Sequence, residues 1–195
     1  MRFLAASFLA FVFILCSSFQ GMKKVGDVIV WSPNSEPAWK DFKKSLQGSA
    51  IEAAYSVCGI DISSAPKQIN DTIYLEVEAF FSKTLSAKTT EKELLTDNVL
   101  THEHGHFDIT ELYARMLRKE IKEASFKSVE EFYKSIQAMY NKESKACKEE
   151  QERYDKETNH SMNIKNQEKW NKEIAEQLEK YSSYTSTHLK IVVRK

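Results

Sequence analysis

Leu100 to Thr110 reads LTHEHGHFDIT, and the spacing of His102, Glu103 and His106 within it decides how the rest of the chain is read. These three residues form an H-E-x-x-H motif inside a stretch with helical periodicity. Positions four apart lie on one helix face about 6 Å apart. Both imidazoles can therefore reach one zinc ion at the usual ~2.0–2.1 Å, while Glu103 can address a water in the open position. Two metal ligands and a general base are thus expected within one helical turn. At ~100° per residue His104 falls on the opposite side and is not a ligand to the same ion. Gly105 costs roughly 1 kcal/mol relative to alanine inside a helix, which predicts a close approach by another backbone at that point.

Working outward, apolar or motif residues recur at Leu95, Val99, His102, His106, Ile109, Tyr113, Met116 and Leu117, so the motif lies on the inward stripe. Tyr113 reads as core, and Glu111 with Arg115 as a structural i, i+4 pair. Thr90-Glu91-Lys92-Glu93 has the S/T-x-x-E form that opens a helix, and Ser128-Val129-Glu130-Glu131 repeats it before an inner face of Phe132, Ile136, Met139 and Tyr140. A third helix is predicted from Asn163 to Tyr181 around Trp170, Ile174 and Leu178, with a late strand over Leu189 to Val193. Before Phe81 the texture differs. Val28–Trp31, Ala54–Val57 and Ile73–Val77 are β-favouring runs broken by Pro33, Pro37, Gly48, Gly59 and Pro66. The expected fold class is α+β, a small N-terminal sheet followed by long helices.

The 195 residues, 42% hydrophobic and 29% charged, suffice for one globular domain with a real core. Twenty-eight basic residues balance 28 acidic ones, so no global field argues for nucleic acid or an acidic membrane as partner. Arg2 precedes thirteen apolar or small residues, Phe3 to Leu15, and then Cys16-Ser17-Ser18. That pattern predicts a signal peptide over residues 1–18, too short for an ordinary ~20-residue membrane span, and one extracytoplasmic domain, periplasmic or secreted, over 19–195. Cleavage there would leave Cys58 and Cys147, either as a disulfide or as two buried thiols.

A catalytic zinc normally has three protein ligands, so one must come from elsewhere. The extended H-E-x-x-H-x-x-G-x-x-H pattern is absent, because Ile109 and Leu112 stand where its glycine and third histidine would fall. Glu123 shares the helix face but lies about 25 Å away along the axis. Glu130 and Glu131 are candidates if the second helix folds back. His160 ranks above them, within the polar stretch Tyr154 to His160 read as a break between helices, and His188 ranks last.

The segment LTHEHGHFDITELYARMLRKEI resembles the signature of a family of predicted bacterial secreted zinc-dependent proteases known as domain of unknown function 922. In that family H-E-x-G-H-F-D-I is followed by E-x-Y-A-R. Trp39-Lys40-Asp41-Phe42 is similar to its W-x-D-F element, and YDKETNHSMNIKNQEKW to its Y-D-x-x-T-x-H block with a downstream Q-x-x-W. His104 stands where the family commonly has glutamine, and Ser161 where glycine often follows the histidine. The resemblance implies a zincin-like metallopeptidase fold, zinc held by His102, His106 and His160, and Glu103 as base. The expected reaction is hydrolysis of a peptide or protein substrate through a zinc-activated water. Tyr154 is a candidate oxyanion donor, and the strand Ile73–Val77 a candidate edge for an extended substrate. The alternative is an extracytoplasmic binding or assembly protein whose zinc site is structural or vestigial. Hydrolysis of a cell-wall peptide or another amide would keep the same site.

Overall fold

The computed structural model describes residue 24 and residues 26–46, 53–64 and 71–193, so the expected signal peptide lies outside the described residues. Within them the fold is mixed α+β, with two sheets and three helices. The larger sheet is built on β5 (Thr72–Ser82). One side of it pairs antiparallel with β4 (Cys58–Ser64), from Cys58 opposite Phe81 to Ser64 opposite Leu75. The other side is shared by β1 (Val28–Val30) and β7 (His188–Val192), both antiparallel. The smaller sheet has the order β2 (Lys44–Leu46), β6 (Ala87–Thr89), β3 (Ala54–Tyr55), with β2 parallel and β3 antiparallel to β6. The expected substrate edge at Ile73–Val77 is therefore corrected. Strand β7 takes one side of β5 along Thr72–Glu76 and β4 the other from Leu75 onward, so β5 lies inside the sheet. The edge beside the motif belongs to β3.

Helix α1 (Asp97–Glu123) begins six residues after the expected box at Thr90. Lys92–Leu94 forms a 3-10 turn instead, and the Thr96 side chain accepts the Val99 amide as the true N-cap. Helix α2 (Val129–Thr158) opens as expected at Ser128, whose hydroxyl accepts the Glu131 amide, and α3 (Ile164–Lys180) is capped by Asn163. Helix α2 also continues through Tyr154 to Thr158, so the break read there is shorter than expected. Tyr154 and Thr158 are fully buried on its inner face, and packing overrides the polar composition of the turn.

Helix α1 is packed on two sides. Phe107, Ala114, Leu117 and Ile121 join the core against Val77, Ala79 and Phe81 of the sheet. Ile109 joins Cys147, Tyr154, Trp170 and Ile174 between the helices. A helix covered in this way has little polar face left, and its charged residues must find partners inside. Glu111 accepts from Arg115 at 2.8 Å and from Arg118 at 2.7 Å, with all three buried. Arg118 also donates to the carbonyls of Val77 at 3.1 Å and Tyr184 at 2.6 Å, and Arg115 to that of Leu178 at 2.6 Å. Glu111 and Arg115 of the E-x-Y-A-R pattern, with Arg118 one turn beyond it, thus tie the helix to the sheet and to the C-terminal segment. In the W-x-D-F element Phe42 packs its ring on Phe81 at 5.1 Å, and Asp41 accepts the Ala38 amide at 3.0 Å.

Replacing Arg118 by methionine removes two of the three hydrogen bonds to buried Glu111 and the donors to the carbonyls of Val77, Tyr184 and Thr185. Stability should fall by about 3–5 kcal/mol, read as a shifted urea midpoint.

Candidate metal and hydrolytic site

The first two turns of α1 carry His102 and His106 onto one face, with their Nε2 atoms 3.3 Å apart. Each imidazole is oriented from behind by a glutamine. Gln167 of α3 accepts from His102 Nδ1 at 3.0 Å, and Gln151 of α2 accepts from His106 Nδ1. The two glutamines are themselves held. Gln167 Nε2 donates to the Tyr154 hydroxyl at 2.6 Å, and Gln151 Nε2 to the His106 carbonyl at 3.0 Å and Thr110 at 3.1 Å. With Nδ1 engaged on both rings, both Nε2 atoms point inward, the arrangement that hydrogen-bond partners behind the ring give to metal-binding histidines.

Asp155 faces that pair. Its Oδ1 lies 3.2 Å from His102 Nε2 and 2.9 Å from His106 Nε2. Three donor atoms about one ion at ~2.0–2.1 Å in tetrahedral geometry would be roughly 3.3–3.4 Å apart. The triangle of 3.3, 3.2 and 2.9 Å is close to one face of such a tetrahedron. His160 Nδ1 stands 4.0 Å from Asp155 Oδ1, and His102, Asp155 and His160 offer donor atoms within 4.8 Å of one another. Burial alone would raise the Asp155 carboxyl, but hydrogen bonds from His102 and His106 outweigh it and hold the group far below the ordinary carboxylate range. Burial works against a charged His106 as well. The hydrogen bond to Asp155 and the charge of Glu103 prevail and raise its pKa.

Glu103 is 3% exposed, and its Oε2 is buried with no hydrogen-bond partner among the described residues. An unpaired buried carboxylate oxygen is costly, and such groups mark a place where water or an ion belongs. His102, Glu103, His106, Asp155 and His160 all line one cavity of about 410 Å³. The residues present therefore fit a divalent metal with nitrogen and oxygen donors and an adjacent base.

The other candidates lie elsewhere. His188 pairs with Glu76 at 3.2 Å on the far sheet, and Glu123 with Lys119 and Tyr184. Glu130 and Glu131 sit at the start of α2, about 36 Å along its axis from Asp155. His104 points away, as expected, and donates to the Pro37 carbonyl at 2.7 Å. Cys58 and Cys147 are free thiols whose pKa burial raises, for Cys147 up to about 11.

Tyr154 is corrected. It does not face the cavity as an oxyanion donor, because its hydroxyl donates to the His102 carbonyl at 3.1 Å and its ring stacks on His102 at 4.6 Å. This ring, rather than another backbone, explains Gly105. A Cβ there would lie 2.7 Å from the Tyr154 ring carbon Cζ and closer still to its hydroxyl. Asp155, Gln151 and Gln167 were missed by sequence reasoning. The signal for two of them was present, since Asp155 opens the quoted Y-D-x-x-T-x-H block and Gln167 the Q-x-x-W.

Gly105→Ala should therefore destabilise the protein by about 1–3 kcal/mol, although alanine is the better helix former by about 1 kcal/mol. Thermal melting and the near-ultraviolet signal of Tyr154 and Trp170 would show it.

No curated protein and no solved structure matches the chain. A family model does match over residues 72–161, a little under half of the chain, from the start of β5 to just past His160. That stretch holds both halves of the site, and it matches the family described as bacterial protein of unknown function (DUF922), which supports the family resemblance read from the sequence.

Proposed function

We propose that this chain is a zinc-dependent hydrolase of peptide bonds, zincin-like in the use of its H-E-x-x-H helix and acting outside the cytoplasm. The observation that carries the reading is the orphaned Oε2 of buried Glu103 beside two imidazoles that already converge. A purely structural ion has no use for it. His102 and His106 would hold the metal together with a donor from the end of α2. Asp155 ranks first for that place, because its Oδ1 already stands at ligand spacing, and His160 ranks second at 4.0 Å beyond it.

Zinc, when bound, lowers the pKa of a coordinated water toward ~7 and polarises a carbonyl. Glu103 takes the proton of the attacking water at Oε2 and passes it to the leaving amine. With Tyr154 committed to the His102 carbonyl, a donor to the developing oxyanion comes from elsewhere on the cavity wall, where His160 and Tyr55 both stand. Gln151 and Gln167 keep each Nε2 available by holding Nδ1.

A specific observation also favours the second reading, a binding or assembly protein with a structural ion. His160 joins His102 and Asp155 in a set of donor atoms within 4.8 Å of one another, on the same Asp155 that His106 approaches at 2.9 Å, so a fourth donor stands near the open position. A small hydroxamate separates the two. It should bind the zinc-loaded protein of an open site and not that of a closed one.

Three outcomes test the proposal. Alanine at His102 or His106 should abolish binding of about one zinc per chain, while Glu103→Gln keeps zinc and loses hydrolysis by several orders of magnitude. Zinc retained by the double histidine variant, or full turnover in Glu103→Gln, would sink the mechanism. Asp155→Ala should cost more zinc affinity than His160→Ala, and Gln151→Leu or Gln167→Leu about 10–100-fold each, by competition with a chelating dye. Because the proton on His106 is held more tightly than usual, zinc uptake at pH 7 should release protons and weaken as pH falls, measurable in weakly buffered solution.

A further inference from the structure

The mouth of the 410 Å³ cavity carries apolar surface that the fold does not use. Seven large apolar side chains are exposed among the described residues, and four of them ring this one opening: Tyr55, Leu94, Met162 and Ile164. Met162 and Ile164 are the most exposed of all, at 62% and 60%. The four come from three separate segments, β3, the 3-10 turn before α1, and the entry to α3. Clustering of this kind marks a binding surface, whereas singly scattered apolar residues do not.

Two more features define what fits there. Strand β3 is the edge of the smaller sheet, since β6 takes one side and no strand among the described residues takes the other, and residues 53–56 line the cavity. An extended chain can add to such an edge through its own amides and carbonyls. The cavity also continues. A second one of about 770 Å³ shares Ser56, His106 and Asp155 with it and runs on past Gly59 toward Cys147. The donor cluster thus lies between two arms of one cleft, and a polypeptide can pass through. Among the described residues no lysine or arginine lines the first arm, and the second carries only Lys148, so the first offers no basic side chain for a terminal carboxylate.

We propose that the cleft takes an internal segment of an extended polypeptide whose residue next to the reacting bond bears a large apolar side chain, seated against Met162, Ile164, Leu94 and Tyr55. The fate of that bond rests on the hydrolase reading, while the seat rests on the cavity itself.

The zinc-loaded protein is incubated with a mixed library of decapeptides and the new termini are read by mass spectrometry. Cut sites should be enriched in Leu, Ile, Met or Phe at one position adjoining the bond. Met162→Glu and Ile164→Glu replace exposed residues, so they should fold and keep zinc, yet lower kcat/KM on a leucine-bearing peptide at least about tenfold, chiefly through KM. Val192→Glu, on the distant β7, should change nothing. Cutting without apolar preference, or unchanged KM in both variants, overturns the seat and leaves the hydrolase reading standing. If the wild type cuts nothing, binding to zinc-loaded Glu103→Gln decides. Apolar peptides held by it and released by Met162→Glu keep the seat while the hydrolase reading falls, and no binding ends both. Self-association abolished by Met162→Glu, with peptide binding unchanged, assigns the surface to a second copy and overturns the proposal.

Discussion

The contact on which the site depends is the close crossing of α1 and α2 at Gly105, where the ring of Tyr154 lies in the space a side chain would fill. Interhelical distance is set by the bulk at the crossing. With only hydrogen there, Tyr154 settles flat on His102, fixes the height of α2, and so delivers the adjacent Asp155 to both imidazoles and Gln151, one turn earlier, to His106. Trp170 closes the arrangement from α3, with its ring 5.3 Å from that of Tyr154 and its indole donating to Glu157 at 2.9 Å. Three helices are thereby registered by one aromatic cluster. The converging atoms of His102, His106 and Asp155 inherit their spacing from it.

The cost of this arrangement is electrostatic. Glu103, Asp155 and the two imidazoles are gathered on one wall, and Glu111, Arg115 and Arg118 are buried two turns further along the same helix. In the second group Glu111 is bonded to both arginines and the arginines to carbonyls on both flanks, so it resists rearrangement. The first is not, since Glu103 keeps an oxygen without a partner. One end of α1 is a satisfied anchor and the other is left chemically unsatisfied. Functional sites commonly violate rules that the rest of a fold obeys.

Much of the fold was legible because its signals are local. The caps at Ser128 and Asn163, the helical stripes, the strand runs at residues 28, 54 and 73, and the late strand all follow from residue type at short range. Pairing was not legible. Nothing near Ile73–Val77 reveals that β4 takes one side and β7, more than a hundred residues later, takes the other. The motif histidines were readable because their spacing is itself the geometry. Asp155 had its place in the Y-D-x-x-T-x-H block but no readable role, because within Lys-Glu-rich α2 it resembles every other solvated acid until the crossing at Gly105 turns it inward. The box at Thr90 misled for a related reason: Thr96 caps the same helix, and the 3-10 turn between them consumes the earlier signal.

The turn after α2 carries a consequence of its own. Asn159, His160 and Ser161 all adopt positive φ, of 48°, 49° and 72°, without a glycine among them. A left-handed residue costs roughly 1–2 kcal/mol unless it is glycine or, less often, asparagine, and such conformations persist only where their surroundings impose them. Here the imposition comes from outside the turn, through Asn98 of α1 donating to the Ser161 carbonyl and the Asn163 amide to that of Thr158 at 2.8 Å. The placing of His160 is therefore tied both to the local bonds of the turn and to the contact of α1 with it, and loosening Asn98 would reach the third histidine without touching the other two.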